Sequence, residues 1–324
     1  MSRLGSDRSN RALAATRRGR STWSLPRHLF GFERPETDGE RIAFRLLEAF
    51  VAFEVVSLAW SWGHYALRIG DVVLPLGVAR WLDISFMHGN ALPLVNAALI
   101  TGLVVLGFVR FGRWSYAGAL VLLLVQYAAR YSLGEIPHSA NVTGIALLAL
   151  ALAPPLFDSE TERRRFAIGF MIFFVGLGYT LAAWSKLIAT GPMWVDGRHL
   201  WIWVYEKGID AAAKTGVFAF NPVQQLVLSD YWIATAFLSI GLLTEFFAFL
   251  MWWRPFRLAV GLAVLGLHVG IKLAMGILFG AAMVIVAFLC LPWDRLIDAG
   301  LRRFGPKAGP PELPAPLRRV LLGA

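Results

Sequence analysis

The sequence predicts an all-α integral membrane protein, a bundle of about eight transmembrane helices with interfacial helices on its outer face. Three observations carry that expectation. The 324 residues are 57% hydrophobic and only 16% charged, with a mean hydropathy of +0.59, whereas a soluble domain carries about a quarter charged residues. The apolar residues gather into runs of roughly 20, the length a helix rising about 1.5 Å per residue needs to cross a hydrocarbon core about 30 Å thick. The basic residues lie almost entirely between those runs.

In chain order the runs are Phe44–Leu67, Ala91–Val109, Ser115–Leu133, Ser139–Phe157, Phe166–Ala189, Tyr231–Trp253 and a long one from Phe256 to Leu291. As a single helix the last would reach about 54 Å, far beyond a bilayer. It must therefore turn back, and Lys272 and Gly276 are its only surfacing point, giving a hairpin of Phe256–Leu273 and Met275–Leu291. Eight spans return both termini to one side. Of the 31 Lys and Arg residues, 23 fall on that side and seven on the other, with Lys186 inside a span. Basic loops stay in the cytoplasm, so both termini are expected there, in a bacterial inner (plasma) membrane.

Three regions follow. Residues 1–43 hold nine arginines and no apolar stretch long enough for a signal-peptide core, which reads as a basic disordered cytoplasmic tail; residues 1–32, with Asp7 as their one acid, also fit a mitochondrial-type presequence. Residues 44–293 form the membrane domain. Residues 294–324, broken by Gly305-Pro306 and Gly309-Pro310-Pro311, read as a cytoplasmic C-terminal tail. A net charge of +10 would suggest nucleic acid as partner of a soluble protein; here it is a topology signal, so the expected partner is the lipid bilayer and no nucleic acid is expected. The single cysteine, Cys290, leaves no disulfide framework, and no metal-ligand spacing occurs, so no metal is expected. Segments 68–90 and 190–230 are rich in Trp, Tyr and Gly, and Met193-Trp194 through Trp201, Trp203 and Tyr205 have the look of a helix lying at the interface.

Ionisable groups within a bilayer cost several kcal/mol, which singles out Glu48 and Glu54 in the first span, Lys186 in the fifth, Glu245 in the sixth and His268 in the seventh, with His64 and His138 near outer ends. Lys186 lies about 30 Å along its span and near the outer surface, where a lysine ordinarily snorkels to water. Tyr179, seven residues back on the same helix face, instead suggests an enclosed polar strip in which a desolvated amine could act as a base. His138 and Asn141, one turn apart at the start of the fourth span, could face one cavity; each histidine is otherwise an ordinary helix-end or interhelical hydrogen-bonding group. Glu245 could equally hold the bundle together through Arg254, Arg257 or a histidine.

Gly178-Tyr179-Thr180-Leu181-Ala182-Ala183-Trp184-Ser185-Lys186-Leu187, followed by Met193-Trp194-Val195-Asp196-Gly197, resembles the tyrosine, lysine-leucine and tryptophan-x-x-glycine pattern of the vitamin K-dependent γ-carboxylase family. Further points of similarity are Pro137-His138-Ser139, Leu243-Thr244-Glu245, and His268 with Leu278-Phe279. Together they cover roughly residues 40–293, in order, and the part of that family they resemble is its membrane part, the horizontally transferred transmembrane (HTTM) domain. The resemblance implies that Lys186 is a catalytic base deprotonating a reduced, vitamin K-like quinone, that His138 helps to hold and activate the reactants, and that Tyr179, Asn141, His268, Glu245 and Trp194 belong to the substrate pocket. Animal members carry a large soluble domain for their polypeptide substrate that residues 294–324 do not match, so the expectation concerns the quinol pocket rather than a particular acceptor.

Three function classes remain open at this point. The first is a γ-carboxylase-like membrane enzyme acting on a quinol or other lipid-soluble substrate, of lyase or quinol-dependent oxidoreductase type. The second is a non-catalytic membrane component that binds or chaperones a partner through its aromatic outer loops. The third is a transporter using Glu54, Glu245 and His268 as a proton path, against which stands the absence of paired Gly/Pro-broken helices in two corresponding halves.

Overall fold

A computed structural model of the chain describes residues 24–69, 74, 76–110, 112–134 and 140–304. Among the described residues the regular structure is entirely helical. Short α1 (Leu25–Leu29) precedes α2 (Asp38–Arg68), α3 (Leu92–Phe108), α4 (Ser115–Tyr131), α5 (Ala140–Leu156) and α6 (Glu160–Thr190). A 3-10 turn, Gly191–Val195, leads into α7 (Gly197–Thr215) and α8 (Pro222–Ser229). The chain closes with α9 (Tyr231–Phe246), a 3-10 stretch Phe247–Trp252, α10 (Arg254–Met275), α11 (Gly280–Cys290) and α12 (Trp293–Phe304).

Successive long helices run in alternate directions, which side-chain contacts at their ends make plain. Glu48, near the start of α2, bonds Arg110 just past the end of α3, and Trp60 Nε1 donates to Thr101 Oγ1 at 3.1 Å further along. Asn96 on α3 and Gln126 on α4 are joined at 2.7 Å inside the bundle. Phe157 and Phe166 pack ring against ring across the short α5–α6 connection. The expected turn-back near Gly276 is present: the residue caps α10 with φ 73°, a conformation glycine adopts at no steric cost. On the returning α11, Cys290 packs so closely on Gly261 that a Cβ there would collide with it. The α2–α6 helices, with α11 and parts of α10, enclose one core of Leu, Val, Ile and Ala, and α7–α9 form a second around Leu200, Val204, Val227 and Leu238.

Among the described residues, three stretches are long and apolar enough to cross a membrane: Glu160–Val195, Tyr231–Trp252 and Arg254–Met275. The pair Gly280–Cys290 and Trp293–Arg303, bent by 65°, would make a fourth if it acts as one broken span. The remaining expected spans are helices at the expected places, but α3 and α5 have 17 residues each, about 25 Å, and α2 carries Arg45, Glu48 and Glu54 in its interior.

Both flanks are more ordered than the sequence suggests. Residues 24–43, expected to belong to a disordered tail, hold α1 and the start of α2, fixed by a capping box between Thr37 and Glu40 and by ion pairs to α6 such as Arg164–Glu36. Residues 294–304, expected in the C-terminal tail, belong to α12, whose Asp298 accepts from Gly39 N at 2.8 Å. Composition hides both because their stabilising contacts are long-range ionic and polar ones. Residues 1–23 and 305–324 lie outside the described residues.

Candidate functional site

Lys186 sits one turn before the end of α6, where its ammonium pairs with Glu245 in the last turn of α9. The pairing depends on an irregularity. Beyond Phe246 the chain tightens from α-helix to 3-10, and Thr180 Oγ1 on α6 accepts the Phe249 N–H at 3.1 Å, pinning that tightened stretch to α6. Glu245 is thereby left facing α6. The 3-10 turn after α6 folds Trp194 back so that Lys186 Nζ lies 4.7 Å from its ring centroid, a cation–π contact. Two turns back from Lys186, and again on α6, Tyr179 reaches α10 through a 2.5 Å hydrogen bond between its hydroxyl and His268 Nε2. The His268 Nδ1 is buried with no hydrogen-bond partner among the described residues, and its ring packs against Phe279 at 5.1 Å.

Lys186, Glu245 and Trp194 form the polar end of a cavity of about 680 Å³ between α6, α7, α9 and α10. Thr244 is nearly the only other polar side chain in its wall; Trp203, Leu238, Leu267 and Phe279 are typical of the rest. The space exists because α10 turns small residues toward it, Ala263, Gly266, Gly270 and Ala274. A Cβ added at Gly266 or Gly270 would meet nothing within 4 Å. This volume is within the range of small-molecule sites, concave and mostly apolar with a few convergent polar groups.

Of the seven residues to which the family resemblance gives a catalytic or pocket role, Lys186, Glu245 and Trp194 meet around one cavity, while Tyr179 and His268 bond each other one layer behind it. Asn141 is exposed in the first turn of α5 and does not line the cavity, because its helix packs on α4 and α6 rather than α9. His138 lies outside the described residues. The sequence expectation of a free amine at Lys186 lacks its carboxylate partner: a bundle tie from Glu245 to arginine or histidine is what the sequence suggests, and the structure gives Glu245 to the lysine. Trp203 and Leu200 are wall residues that sequence reasoning missed. The Ala263, Gly266, Gly270 and Ala274 spacing, which keeps one helix face small, was the signal that could have found the cavity.

Comparison with protein-family models, curated proteins and solved structures gives no match. The site is therefore read from its own chemistry. An apolar chamber with one acid–base pair suits a ligand that is largely hydrocarbon and presents a hydroxyl or carbonyl at one end. Among the described residues no group of His, Cys, Asp and Glu is arranged to hold a metal ion.

Proposed function

We propose that this chain crosses the membrane eight times with both termini in the cytoplasm, and that it is a γ-carboxylase-like membrane enzyme of HTTM type. Its cavity takes a lipid-soluble quinol, and Lys186 manages the proton of the quinol hydroxyl. The observation that carries this reading is the Lys186–Glu245 pair at the end of a large, otherwise apolar cavity. The alternation of helix directions supports the eight crossings, and the exposed Ile202 and Ile209 of α7 suit a helix lying in the interface.

In the proposed step, Lys186 Nζ passes a proton to Glu245 Oε2 and the freed amine takes the hydroxyl proton of the quinol. The resulting quinolate oxygen is held by the ammonium, and the net proton rests on Glu245. Trp194 and Trp203 would flank the ring. The transporter reading has less support, since Glu54 on α2 lines no part of the cavity that Glu245 faces.

The test is consumption of a reduced naphthoquinol under oxygen by the protein in nanodiscs, with quinone binding followed separately. Lys186→Arg keeps a cation opposite Glu245 but cannot surrender a proton, so turnover should fall by about 100-fold or more while binding and Tm persist. Quinol binding without turnover in the wild type would favour the non-catalytic component, turnover unchanged in Lys186→Arg would remove Lys186 as the base, and no quinol binding at all would remove the proposal.

A further inference from the structure

A second hollow, of about 450 Å³, lies at the other end of the bundle. Its walls come from residues 29–43, the start of α6, the first turns of α10, the end of α11 and the start of α12. Six guanidinium groups face it, Arg34, Arg164, Arg165, Arg254, Arg257 and Arg295, against three carboxylates, Glu36, Glu40 and Asp294.

The carboxylates near α6 are already committed. Glu36 takes both arms of Arg164 at 2.7 Å and 2.7 Å and Arg41 at 3.1 Å. Glu40 takes Arg34 at 2.8 Å and Arg165 at 3.1 Å. Arg254 and Arg257 are held differently. Arg254 Nε donates to the His28 carbonyl at 3.1 Å; Arg257 donates from Nε to the Met251 carbonyl at 3.2 Å and from Nη2 to His28 O at 3.0 Å. Among the described residues neither has a carboxylate within ion-pairing distance. A guanidinium offers five N–H donors, so each keeps donors that the protein does not use. Two half-buried cations fixed by backbone carbonyls and left without a counter-ion are a costly arrangement unless an anion joins them.

We infer that this hollow binds a phosphate group, presented either by an anionic lipid or by a free phosphate. Paired guanidinium groups match phosphate oxygens through parallel N–H donors. Leu258, Phe288 and Leu289 in the same wall give an attached hydrocarbon chain a surface to lie on, as in basic pockets between membrane helices that hold lipid headgroups.

The test uses purified full-length protein in nanodiscs of phosphatidylglycerol mixed equally with phosphatidylcholine, with retained lipid identified by native mass spectrometry after detergent extraction. A parallel arm measures the Tm of delipidated protein with inorganic phosphate or pyrophosphate. Wild type should retain phosphatidylglycerol by about tenfold over phosphatidylcholine, and R254Q/R257Q should bring the ratio close to unity. Because these two arginines also anchor the His28 carbonyl, R295Q provides the second variant: its side chain is exposed and makes no hydrogen bond or ion pair among the described residues, and retention should fall about threefold at unchanged Tm. A Tm rise with phosphate that R254Q/R257Q abolishes, without lipid selectivity, assigns the site to free phosphate. Equal retention of both lipids with no phosphate response, or selectivity indifferent to all three arginines, overturns the inference.

Discussion

Two acid–base clusters inside the helical bundle use the same chemistry and arrive at opposite ends. Glu48 on α2 is completely buried, and its two carboxylate oxygens receive Arg110 at 2.7 Å and 3.0 Å, Arg45 at 2.6 Å and the Tyr116 hydroxyl at 2.7 Å. Glu245 receives one ammonium, and its side chain and that of Lys186 remain 11% and 27% exposed toward the cavity. A carboxylate with four short charge-assisted or hydroxyl donors has no capacity left for a ligand. A carboxylate with one donor beside an apolar chamber of about 680 Å³ has capacity and room. The number of unused hydrogen-bonding positions next to a void, rather than the presence of buried charge, separates a structural ion cluster from a candidate site.

The comparison breaks first at Glu48. Glu48→Gln leaves the buried Arg45 facing a neutral amide, and removing one partner of a buried ion pair costs about 3–5 kcal/mol. Its Tm loss should exceed that of any single substitution in the Lys186 chamber or at the arginine-rich end, with ligand binding in the surviving folded fraction unchanged. Thermal melts alongside quinone binding measure both quantities. A loss below about 1 kcal/mol would mean that the cluster is no more structural than a surface pair.

The reverse pattern is expected at Gly270. Gly270→Leu places four carbons where a Cβ meets nothing within 4 Å, and replacing glycine within a helix adds stability of about 0.5–1 kcal/mol. Ligand affinity should fall about tenfold or more as the chamber fills, while Tm holds or rises. Affinity unchanged in Gly270→Leu would place the ligand elsewhere than the Lys186 chamber.

Much of this contrast was legible in the sequence. Apolar runs and charge spacing located the long helices, and the excess length after Phe256 located the break at Gly276, because both follow from bilayer thickness and helical rise. Lys186, Glu245 and Trp194 stood out as polar or aromatic groups in an apolar setting. Their assembly was not legible. It depends on the 3-10 stretch Phe247–Trp252, which Phe-Ala-Phe-Leu-Met-Trp does not announce in its residue types and which is fixed by the tertiary bond from Phe249 N to Thr180. The four-donor cage around Glu48 was equally hidden, since Arg110 lies 62 residues away. The ordered flanks failed to show because Glu36 and Glu40 find their cross-helix cations, Arg164 and Arg165, on α6, 128 and 125 residues further along the chain.

The arginine-rich end also makes a pH-dependent contribution. Burial pushes the Glu36 carboxyl up, but the Arg164 guanidinium, with help from Thr161 and Arg41, outweighs it and holds the group below the ordinary carboxylate range. A folded-state pKa that is depressed means stability present above the unfolded value, about 4.3, and lost as pH falls through the folded value. Tm should therefore decline as pH drops below about 4.5, and Glu36→Gln should remove part of that decline while costing less at pH 7 than Glu48→Gln. A Glu36→Gln profile parallel to wild type would show that other carboxylates govern acid unfolding.

The smallest expected effect lies at Asn221, and it asks how the cavity wall is held. Asn221 caps α8, its side-chain oxygen accepting from Val223 N at 2.9 Å and Gln224 N at 3.0 Å, while Gln224 Oε1 accepts the Asn221 N–H at 2.9 Å. The same two amides turn their donors outward: Asn221 Nδ2 to Leu273 O at 2.8 Å and Gln224 Nε2 to Ala274 O at 3.1 Å. These carbonyls close α10, where a helix leaves its last carbonyl groups without intrahelical donors, and Ala274 and Met275 line the chamber. Asn221→Ala removes the cap and one tether together, which should cost about 1 kcal/mol and speed amide exchange in the last turn of α10. Asn221→Asp keeps the cap oxygen but loses the donor to Leu273, so it separates the two roles. If the tether matters to the chamber, Asn221→Asp weakens ligand binding about as much as Asn221→Ala while recovering most of the stability. If only the cap matters, Asn221→Asp behaves as wild type in both measurements, and α8 is then a helix that packs against the chamber without shaping it.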